Sequence, residues 1–327
     1  MQLGDLEKRI FSVTTDSFND LALEIFSYQY ANCAPYKEFV DYLGVNPEKI
    51  KNSDSIPHIP IELYKTKVFY NAKADAEAVF LSSGTTGQLQ SKHCVKDLSL
   101  YEKSFSLAFQ HFYGNVDDYR ILALLPSYLE REGSSLVYMM NRLIEKSNDP
   151  DSGFFLNNRD KLVSLLKRKT SKKTLLVGVS FALLDLAETY DLKLENTIVM
   201  ETGGMKGRRK EMIREELHGI LKNAFGVDEI HSEYGMTELL SQAYSTGSGK
   251  FECPPWMKIR VRDTNDPGAL VGEGKTGGLN ITDLANIHSC SFIATSDLGR
   301  SLADGRIEII GRFDYSDMRG CNLMVAD

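Results

Sequence analysis

Hydrophobic and polar residues follow one another along the chain in blocks whose spacing predicts regular elements. Aromatic and aliphatic residues recur at helical spacing over residues 18–43, so the first 55 residues are predicted to be helical. Pro57 and Pro60 then force an extended segment. A strand is predicted over residues 76–81; it leads into a Ser/Gly/Thr loop, and residues 92–95 return as a second strand.

After residue 98, blocks of strand length and helix length alternate. Ser99 and Glu102 have capping-box spacing and predict the start of a helix that continues to about His111. Short apolar runs predict buried strands, and amphipathic runs predict helices. The predicted strands are 120–125, 174–179 and 197–200, and the predicted helices are 134–145, 181–190 and 208–221. This alternation favours an α/β fold with a substantially parallel sheet.

Beyond residue 251 the pattern changes to short β segments separated by Gly- and Asp-rich turns. These segments are 257–261, 278–281, 291–295 and 306–310. They predict a small β-barrel-like subdomain beside the layered sheets and flanking helices of the main domain. We therefore expect an α/β core over residues 1–250 that includes the helical N-terminal segment, a β subdomain over 251–312 and a tail over 313–327.

Composition excludes several classes of function. The 327 residues are 42% hydrophobic and 25% charged, which is ordinary for a globular protein, and the net charge of −7 provides no basic field for nucleic acid or anionic lipid. The N-terminus lacks the apolar core of a signal peptide, and no apolar stretch reaches the roughly 18 residues that span a bilayer. We expect a cytoplasmic protein with no membrane span. The five cysteines form no CxxC pair, so their spacing suggests neither a disulfide framework nor a zinc site.

The most informative candidate for chemistry is a Ser/Gly/Thr loop. It consists of Ser82, Ser83, Gly84, Thr85, Thr86 and Gly87. Its glycines let backbone amides converge and its hydroxyls add donors, an arrangement that suits phosphate oxygens. Gln88 stands where a P-loop lysine would follow the last glycine, so this is not a Walker loop. Composition alone is equally compatible with an ordinary turn.

Three more stretches carry side chains suited to a nucleotide. In the run from Tyr234 to Glu238, a ring can cover a purine and a carboxylate can hold Mg²⁺, although Glu238 could also begin a solvated helix. Asp297 ends a strand where it could take both ribose hydroxyls, and Arg312 follows another strand two residues before Asp314. Each of the last two also fits a strand-terminating turn or a weak surface ion pair.

Two further motifs resemble other sites and are set aside. Ser180 lies between a strand and a helix like the serine of a nucleophile elbow, but the nominal partners Asp283 and His288 are only five residues apart. We expect Ser180 to be the N-cap of the helix that follows. Residues 272–277 match GxGxxG but precede a strand, which indicates a turn and not a dinucleotide site.

In this order, SSGTTG, the pair Gly203-Gly204, YGMTE, TSDLGR and GRFD resemble the nucleotide-site motifs of the adenylate-forming superfamily. That superfamily comprises acyl-CoA synthetases, peptide-synthetase adenylation domains and firefly luciferase. The resemblance runs from about residue 56 to the end. It implies that residues 82–87 cradle the ATP phosphates, that Gly203 and Gly204 flank the adenine, and that Tyr234, followed by Gly235, stacks on it.

The same resemblance implies roles for the remaining motif residues. Thr237 and Glu238 would act in catalysis, meeting phosphate and Mg²⁺, with Glu238 as the metal ligand. Asp297 would bind the ribose hydroxyls, and Arg312 would lie beside them. Full-length relatives continue into a small domain that carries a catalytic lysine. Only thirteen residues follow Asp314 here, so we expect that domain to be absent.

A closer resemblance is to the long-chain fatty acid–protein ligase of bacterial bioluminescence. It rests on the prolines and the Lys/Phe run of residues 56–69, on the turn at residues 253–256 and on the tail at residues 319–323. It implies that ATP and Mg²⁺ serve to convert a carboxylic acid, most simply a fatty acid, to an acyl-adenylate, and that Cys321 then accepts the acyl group. A reductase or an acyl carrier would be the protein partner.

Two alternatives stay open at this point. The first is an acyl- or aryl-CoA ligase or acyltransferase, similar to the phenylacetate–CoA ligase group, in which CoA replaces Cys321 as acceptor. The second is a non-catalytic protein that binds AMP or ATP. Turnover of ATP separates the enzymes from the binding protein, and the identity of the acceptor separates the two enzymes.

Overall fold

A computed structural model of the chain describes residues 3–71, 74–83, 89–127, 133–204 and 212–313. The helices in these ranges are α1 (Leu3–Ile10), α2 (Thr15–Asn32), α3 (Ala34–Tyr42), α4 (Leu98–Tyr113), α5 (Ser135–Lys146), α6 (Arg159–Lys167), α7 (Ser180–Thr189) and α8 (Arg214–Phe225). The strands are β1 (Ile59–Pro60), β2 (Ala78–Leu81), β3 (Lys92–Val95), β4 (Tyr119–Leu124), β5 (Gly153–Phe154), β6 (Lys173–Val179), β7 (Thr197–Thr202), β8 (Ile230–Tyr234), β9 (Ala243–Ser245), β10 (Lys250–Phe251), β11 (Met257–Arg262), β12 (Thr276–Asp283), β13 (Phe292–Ser301) and β14 (Ile307–Arg312).

The larger α/β layer is built on a mostly parallel sheet. Its strands run in the order β5-β4-β6-β7-β8-β9, and only the last pair is antiparallel. Strand β4 is buried along its whole length, and β6 and β7 are buried except at their first residues. Burial on both faces explains why these strands read as continuous apolar runs and not as alternating ones. Helices between the strands make the parallel connections.

A second sheet gathers most of the chain beyond residue 250. Its strands run in the order β10-β14-β13-β12-β11 and pair antiparallel, while the short β1 joins β13 in parallel. Register shifts between Gly278 and Asn280 and between Leu298 and Gly299 are the irregularities that bend an antiparallel sheet. Together with the separate β2-β3 hairpin, these layers confirm the predicted fold class. The division of the chain at residues 250 and 312 stays a prediction.

Most predicted elements are present within one or two residues of the expected bounds. Helix α4 differs in its cap: Asp97 accepts a hydrogen bond from the Ser99 amide at 2.8 Å, so the capping box predicted from Ser99 and Glu102 is wrong. Glu102 instead accepts from Arg142 at 2.9 Å. Helix α8 begins only at Arg214, later than the predicted residue 208. A helix start depends on which side chain reaches the free amides, and more than one candidate had suitable spacing.

None of the helices in the described ranges combines the length and the apolar character that a crossing of a lipid bilayer requires. The N-terminal helices instead dock on the second sheet. Buried Gln29 of α2 donates to the Asn286 and Ile287 carbonyls, both at 3.0 Å, and accepts from the Ser291 amide at 3.0 Å. One amide side chain therefore satisfies three backbone groups that precede β13.

We predict that Gln29→Leu lowers the free energy of unfolding by about 2 kcal/mol, because it leaves the buried Ser291 amide without a partner and removes one of the donors to the Asn286 and Ile287 carbonyls. Urea denaturation monitored by circular dichroism measures the change. The matched control is Gln110→Leu on the exposed face of α4, which should shift stability little. Equal effects of the two substitutions would show that the Gln29 hydrogen bonds do not hold the helices on the sheet.

Candidate nucleotide and acyl site

Three parallel strands end at one edge of the larger sheet. Strand β6 ends at Val179, β7 at Thr202 and β8 at Tyr234, and the register pairs Val179 with Thr202 and Thr202 with Glu233. Ligands of open α/β sheets bind at the carboxyl ends of the strands. The Gly203-Gly204 pair and the run from Tyr234 to Glu238 follow β7 and β8 at this edge, as the sequence order of the motifs requires.

The Ser/Gly/Thr loop joins β2 to β3. Of its predicted phosphate-binding residues, only Ser82 and Ser83 lie in the described ranges; Gly84, Thr85, Thr86 and Gly87 lie outside them. Ser82 pairs with Ser91 across the hairpin: its amide donates to the Ser91 carbonyl at 3.1 Å, and its hydroxyl accepts from the Ser91 amide at 2.9 Å. These bonds hold the base of the loop.

His93 ties this hairpin to the turn after β8. One of its ring nitrogens lies 2.7 Å from the Thr237 carbonyl, and the other lies 2.9 Å from the side-chain oxygen of Asn286. Asn286 in turn donates to the Glu238 carbonyl at 2.6 Å. Burial lowers the pKa of His93 to about 4, although the contacts with Thr237 and Asn286 act in the opposite direction. The serine-rich loop and the Thr237-Glu238 turn are thereby held against each other.

Glu238 lies in that turn with only 4% of its surface exposed. The alternative that it begins a solvated helix is therefore wrong. Burial raises the pKa of Glu238, while the Ser91 hydroxyl acts in the opposite direction by hydrogen bonding. A cation bound at Glu238 would compensate its carboxylate for the hydration that is lost on burial.

Tyr234, Asp297 and Arg312 meet between the two large sheets. The Tyr234 hydroxyl donates to one oxygen of Asp297 at 2.6 Å, and the Arg312 guanidinium donates to the other at 3.0 Å. Burial, followed by the charge of Asp297, raises the pKa of Tyr234, so its hydroxyl stays a donor. Asp297 is buried and Arg312 is exposed. The Tyr234 ring also meets Phe251 edge-on at 6.1 Å between centroids.

The glycine pair after β7 has one constrained and one open residue. Gly203 has a φ of +65°, which is in the left-handed region that favours glycine, and its carbonyl accepts from the Ser180 hydroxyl at 2.7 Å. A side chain added to Gly204 would meet no atom of the described residues within 4 Å. Ser180 is not the expected N-cap, because α7 already includes it and its hydroxyl donates to Gly203 instead.

Glu201 forms a second buried cluster on the face of β7 that packs against α8. It accepts from Ser180 at 3.2 Å and from Arg214 at 3.5 Å, and it lies 3.7 Å from His218. Burial alone would raise the pKa of Glu201, but His218 and Arg214 outweigh it and hold that pKa below its usual range. Arg214 also donates to the Ile309 carbonyl of β14. The cluster therefore links the glycine turn to the second sheet.

An apolar cleft occupies the other face of the same strands. Its walls come from α5, β6 and β7, with Leu136, Met139, Met140, Leu143, Val177 and Met200 among the lining residues. Glu233 and Tyr244 complete the wall beside β8 and β9. Its cavity volume is about 10 Å³, which is room for about one water molecule. The three methionines can change rotamer to widen it, because their side chains are unbranched and flexible.

The described ranges contain no group of three His, Cys, Asp or Glu side chains that could hold a metal ion. Glu238 could still provide one carboxylate of a Mg²⁺ site, because Mg²⁺ usually takes one or two protein carboxylates and completes its shell with phosphate oxygens and water. Its burial beside the Ser82 hairpin is consistent with such a shared site.

Asp283 anchors the chain just after the Glu238 turn. It accepts from the amides of Leu240 and Ser241 at 2.8 and 3.0 Å, and from the Ser241 hydroxyl at 2.6 Å. Burial raises the pKa of Asp283 to about 6, although these hydrogen bonds act in the opposite direction. Neither Asp283 nor His288, which contacts Glu7 at 2.6 Å, makes a hydrogen bond to Ser180, so no hydrolase triad forms.

Sequence reasoning missed four residues of this site: His93, Glu201, Glu233 and Asp283. No local pattern marks them as functional, because their partners lie far along the chain. His93 contacts residues that are 144 and 193 positions away in the sequence. Only the apolar run that precedes Glu201 indicates that this residue lies near the end of a buried strand.

The pH dependence of stability tests the Asp283 anchor. Since its folded pKa of about 6 lies above the ordinary value of about 3.9, the folded state holds the proton more tightly than the unfolded state. The stability that Asp283 contributes is therefore present below pH 4 and is lost as the pH rises to 6. Relative to Asp283→Asn, the wild-type free energy of unfolding should fall by roughly 2 kcal/mol between pH 4 and pH 6.

Asp304→Asn is the control for that measurement, because Arg306 lowers the pKa of Asp304 to about 2. The stability that Asp304 contributes is lost only as the pH falls below about 4. The free energies of unfolding of Asp304→Asn and wild type should therefore differ by a constant amount between pH 4 and 6. A constant difference for Asp283→Asn as well would mean that the hydrogen bonds keep Asp283 ionised throughout.

Two solved structures with a similar fold are an ATP-bound protein and a CoA ligase. ATP-bound MatB from Rhodopseudomonas palustris is 20% identical, with a TM-score of 0.56 over 74% of this chain and 49% of that one. A 2-hydroxyisobutyryl-CoA ligase in the postadenylation state, in complex with 2-HIB-AMP, is 13% identical, with a TM-score of 0.68 over 94% of this chain and 70% of that one. The chain thus spans about half the length of MatB. The fold is that of the adenylate-forming ligases.

The family model of the acyl-protein synthetases, LuxE, matches residues 12–327. The chain therefore belongs to the LuxE acyl-protein synthetase family. No curated protein sequence matches it. This family agrees with the resemblance drawn from the motifs of the sequence.

Proposed function

We propose that the protein activates a carboxylic acid with MgATP and transfers the acyl group to a thiol. The observation that carries this proposal is the meeting of Tyr234, Asp297 and Arg312 at the strand edge where the Gly203 turn and the Glu238 turn also lie. This edge brings together the buried carboxylate of Asp297, the glycine Gly204 and the base of the serine-rich loop at Ser82. The carboxylate suits ribose hydroxyls, the glycine leaves room for an adenine, and the loop suits a triphosphate.

Activation needs positioning and charge neutralisation more than a protein nucleophile. A carboxylate oxygen of the substrate attacks the α-phosphorus of ATP, the bond to the β-phosphate breaks, and pyrophosphate leaves. Ser82, Ser83 and Thr237 bind phosphate oxygens. Asp297 accepts hydrogen bonds from the ribose hydroxyls, and these replace part of its interaction with Arg312. Glu238 would hold Mg²⁺, and the ion would neutralise charge on the phosphates.

The apolar cleft binds the rest of the acid. Strands β6 and β7 connect its wall directly to the nucleotide edge, since Val177 and Met200 lie two residues before Val179 and Thr202. Burial of an alkyl chain contributes about 0.8 kcal/mol per methylene. The affinity for a fatty acid therefore increases with the number of methylenes that fit between the methionine side chains. The acyl group enters the cleft while its carboxylate stays at the edge.

Transfer to a thiol completes the reaction. A thiolate attacks the carbonyl carbon of the acyl-adenylate, the bond to the phosphate oxygen breaks, and AMP leaves. Cys321 is the proposed acceptor; it lies outside the described residues, next to Gly320 and Arg319. A neighbouring arginine favours the thiolate, which is the nucleophilic form. A reductase or an acyl carrier would then take the acyl group, and coenzyme A is the alternative acceptor.

Glu238→Gln tests the activation step. The substitution keeps the size of the side chain but removes the charge that holds Mg²⁺, so we expect acid-dependent ATP–pyrophosphate exchange to fall at least about a hundredfold, as for loss of one strong electrostatic contact in a transition state. Thermal shift with AMP, which needs no Mg²⁺, should remain and thus report an intact site. Exchange at the wild-type rate would remove Glu238 from the mechanism. AMP binding without exchange in wild type would favour the non-catalytic alternative.

Cys321→Ser tests the acceptor. The variant should keep pyrophosphate exchange but lose hydroxylamine-labile acylation of the protein, measured by intact mass spectrometry after incubation with MgATP and the acid. Cys94→Ser, at a half-buried cysteine of β3, is the matched control and should keep both properties. If wild type supports exchange but never carries an acyl group, the acceptor is an external thiol, with coenzyme A tested first.

A further inference from the structure

The strand that carries Asp297 leaves the regular sheet at this residue. Three consecutive residues of β13 face a single residue of β12, because the register shifts between Gly278 and Asn280. The three are Thr295, Ser296 and Asp297. A bulge interrupts the ladder of hydrogen bonds between two strands and turns a side chain to a new direction. The position of the Asp297 carboxylate therefore depends on the contacts that hold this bulge.

Arg262 of β11 supplies the central contacts. Its guanidinium donates to the Leu279 carbonyl of β12 at 2.7 Å and to the Thr295 carbonyl of β13 at 2.6 Å. A further bond reaches the side-chain oxygen of Asn280 at 3.1 Å. Only 9% of Arg262 is exposed, and hydrogen bonds from a charged donor are stronger than those between neutral groups. One side chain thus joins β12 to β13 where their ladder is interrupted.

The rest of the bulge is held by contacts that lead back to Arg262. The Asp297 amide donates to the Thr295 hydroxyl at 3.1 Å, so the residue that Arg262 binds also fixes the backbone of Asp297. The Ser296 carbonyl accepts from the Phe313 amide at 2.8 Å. The guanidinium lies over the Phe313 ring at 5.7 Å from its centroid, a distance at which a cation is attracted to an aromatic face.

Gly278 leaves the space that the guanidinium occupies. Arg262 and Gly278 stand directly opposite each other in the register of β11 and β12. A methyl group added to Gly278 would lie 2.5 Å from the central carbon of the guanidinium, which is too close for both to stay in place. The missing side chain of Gly278 therefore allows Arg262 to reach across β12 to the bulge.

We propose that Arg262 is a positioning residue for the nucleotide: by holding the bulge of β13, it presents the Asp297 carboxylate to the two hydroxyls of a ribose. The proposal rests on the proposed function, in which Asp297 binds the ribose, and it adds the residue on which that binding depends. Since Arg262 acts through Asp297, its loss should weaken the recognition of the ribose hydroxyls and leave the binding of the remaining nucleotide in place.

AMP and 2′,3′-dideoxy-AMP test the proposal, because they differ only in the two hydroxyls. Isothermal titration calorimetry of the wild-type protein should give a Kd at least about tenfold lower for AMP, as for hydrogen bonds to a charged group. Arg262→Met should reduce this ratio to within about threefold, chiefly by weakening AMP. Arg260→Met, at a partly exposed arginine of the same strand that pairs with Asp54, is the matched control and should keep the wild-type ratio.

Gly278→Ala provides a second test that leaves the arginine in the sequence. The Gly278 backbone lies outside the left-handed region, so alanine adds no backbone strain, and its methyl group displaces the guanidinium. The ratio should again fall to within about threefold, and it should fall no further when Gly278→Ala is combined with Arg262→Met, since both changes remove one interaction. Gly272→Ala, where an added side chain meets no atom of the described residues within 4 Å, is the control.

The outcomes separate this inference from the proposed function. A wild-type ratio that Arg262→Met and Gly278→Ala both retain overturns the positioning role and leaves the proposed function standing. Equal weakening of both nucleotides by these variants also overturns it, because it indicates a purely structural role. If wild type binds the two nucleotides equally, Asp297 does not bind the ribose, and the proposed function fails at this residue as well. Gly278→Ala decides the question if the thermal melt shows that Arg262→Met does not fold.

Discussion

Parallel pairing of β6, β7 and β8 is the constraint on which the site depends. Because parallel strands end at the same edge, the residues after them converge even though they are far apart in the chain. The pleat then sends alternate side chains to opposite faces, so Glu201 meets α8 while its neighbour Met200 lines the cleft. One strand thus separates the proposed nucleotide support from the proposed acyl cleft.

Buried polar groups join the three sheets into one site. His93 connects the β2-β3 hairpin to the Thr237 turn, and Asp297 connects Tyr234 on the first sheet to Arg312 on the second. Their burial also separates the acidities of the carboxyl groups: the pKa of Glu238 is raised by burial, whereas His218 and Arg214 hold that of Glu201 low. The carboxyl groups of one site therefore differ in acidity.

The sequence predicted the elements and the order of the motifs well. Continuous apolar runs identified β4, β6 and β7, since strands buried on both faces of a parallel sheet need them. It was less reliable for caps. Ser180 looked like an N-cap, but its hydroxyl is drawn to the Gly203 carbonyl, a partner that exists only after β6 and β7 pair.

By itself, the sequence determined the fold class, the family and the local segments that could bind a nucleotide, because periodicity and short motifs act over a few neighbouring residues. Only the tertiary structure decided that Glu238 is buried in a turn, that Asp283 anchors the following loop and that Glu233 lines the cleft. Each of these depends on contacts between residues that the chain holds far apart. Strand pairing and burial bring them together, and no local pattern encodes that meeting.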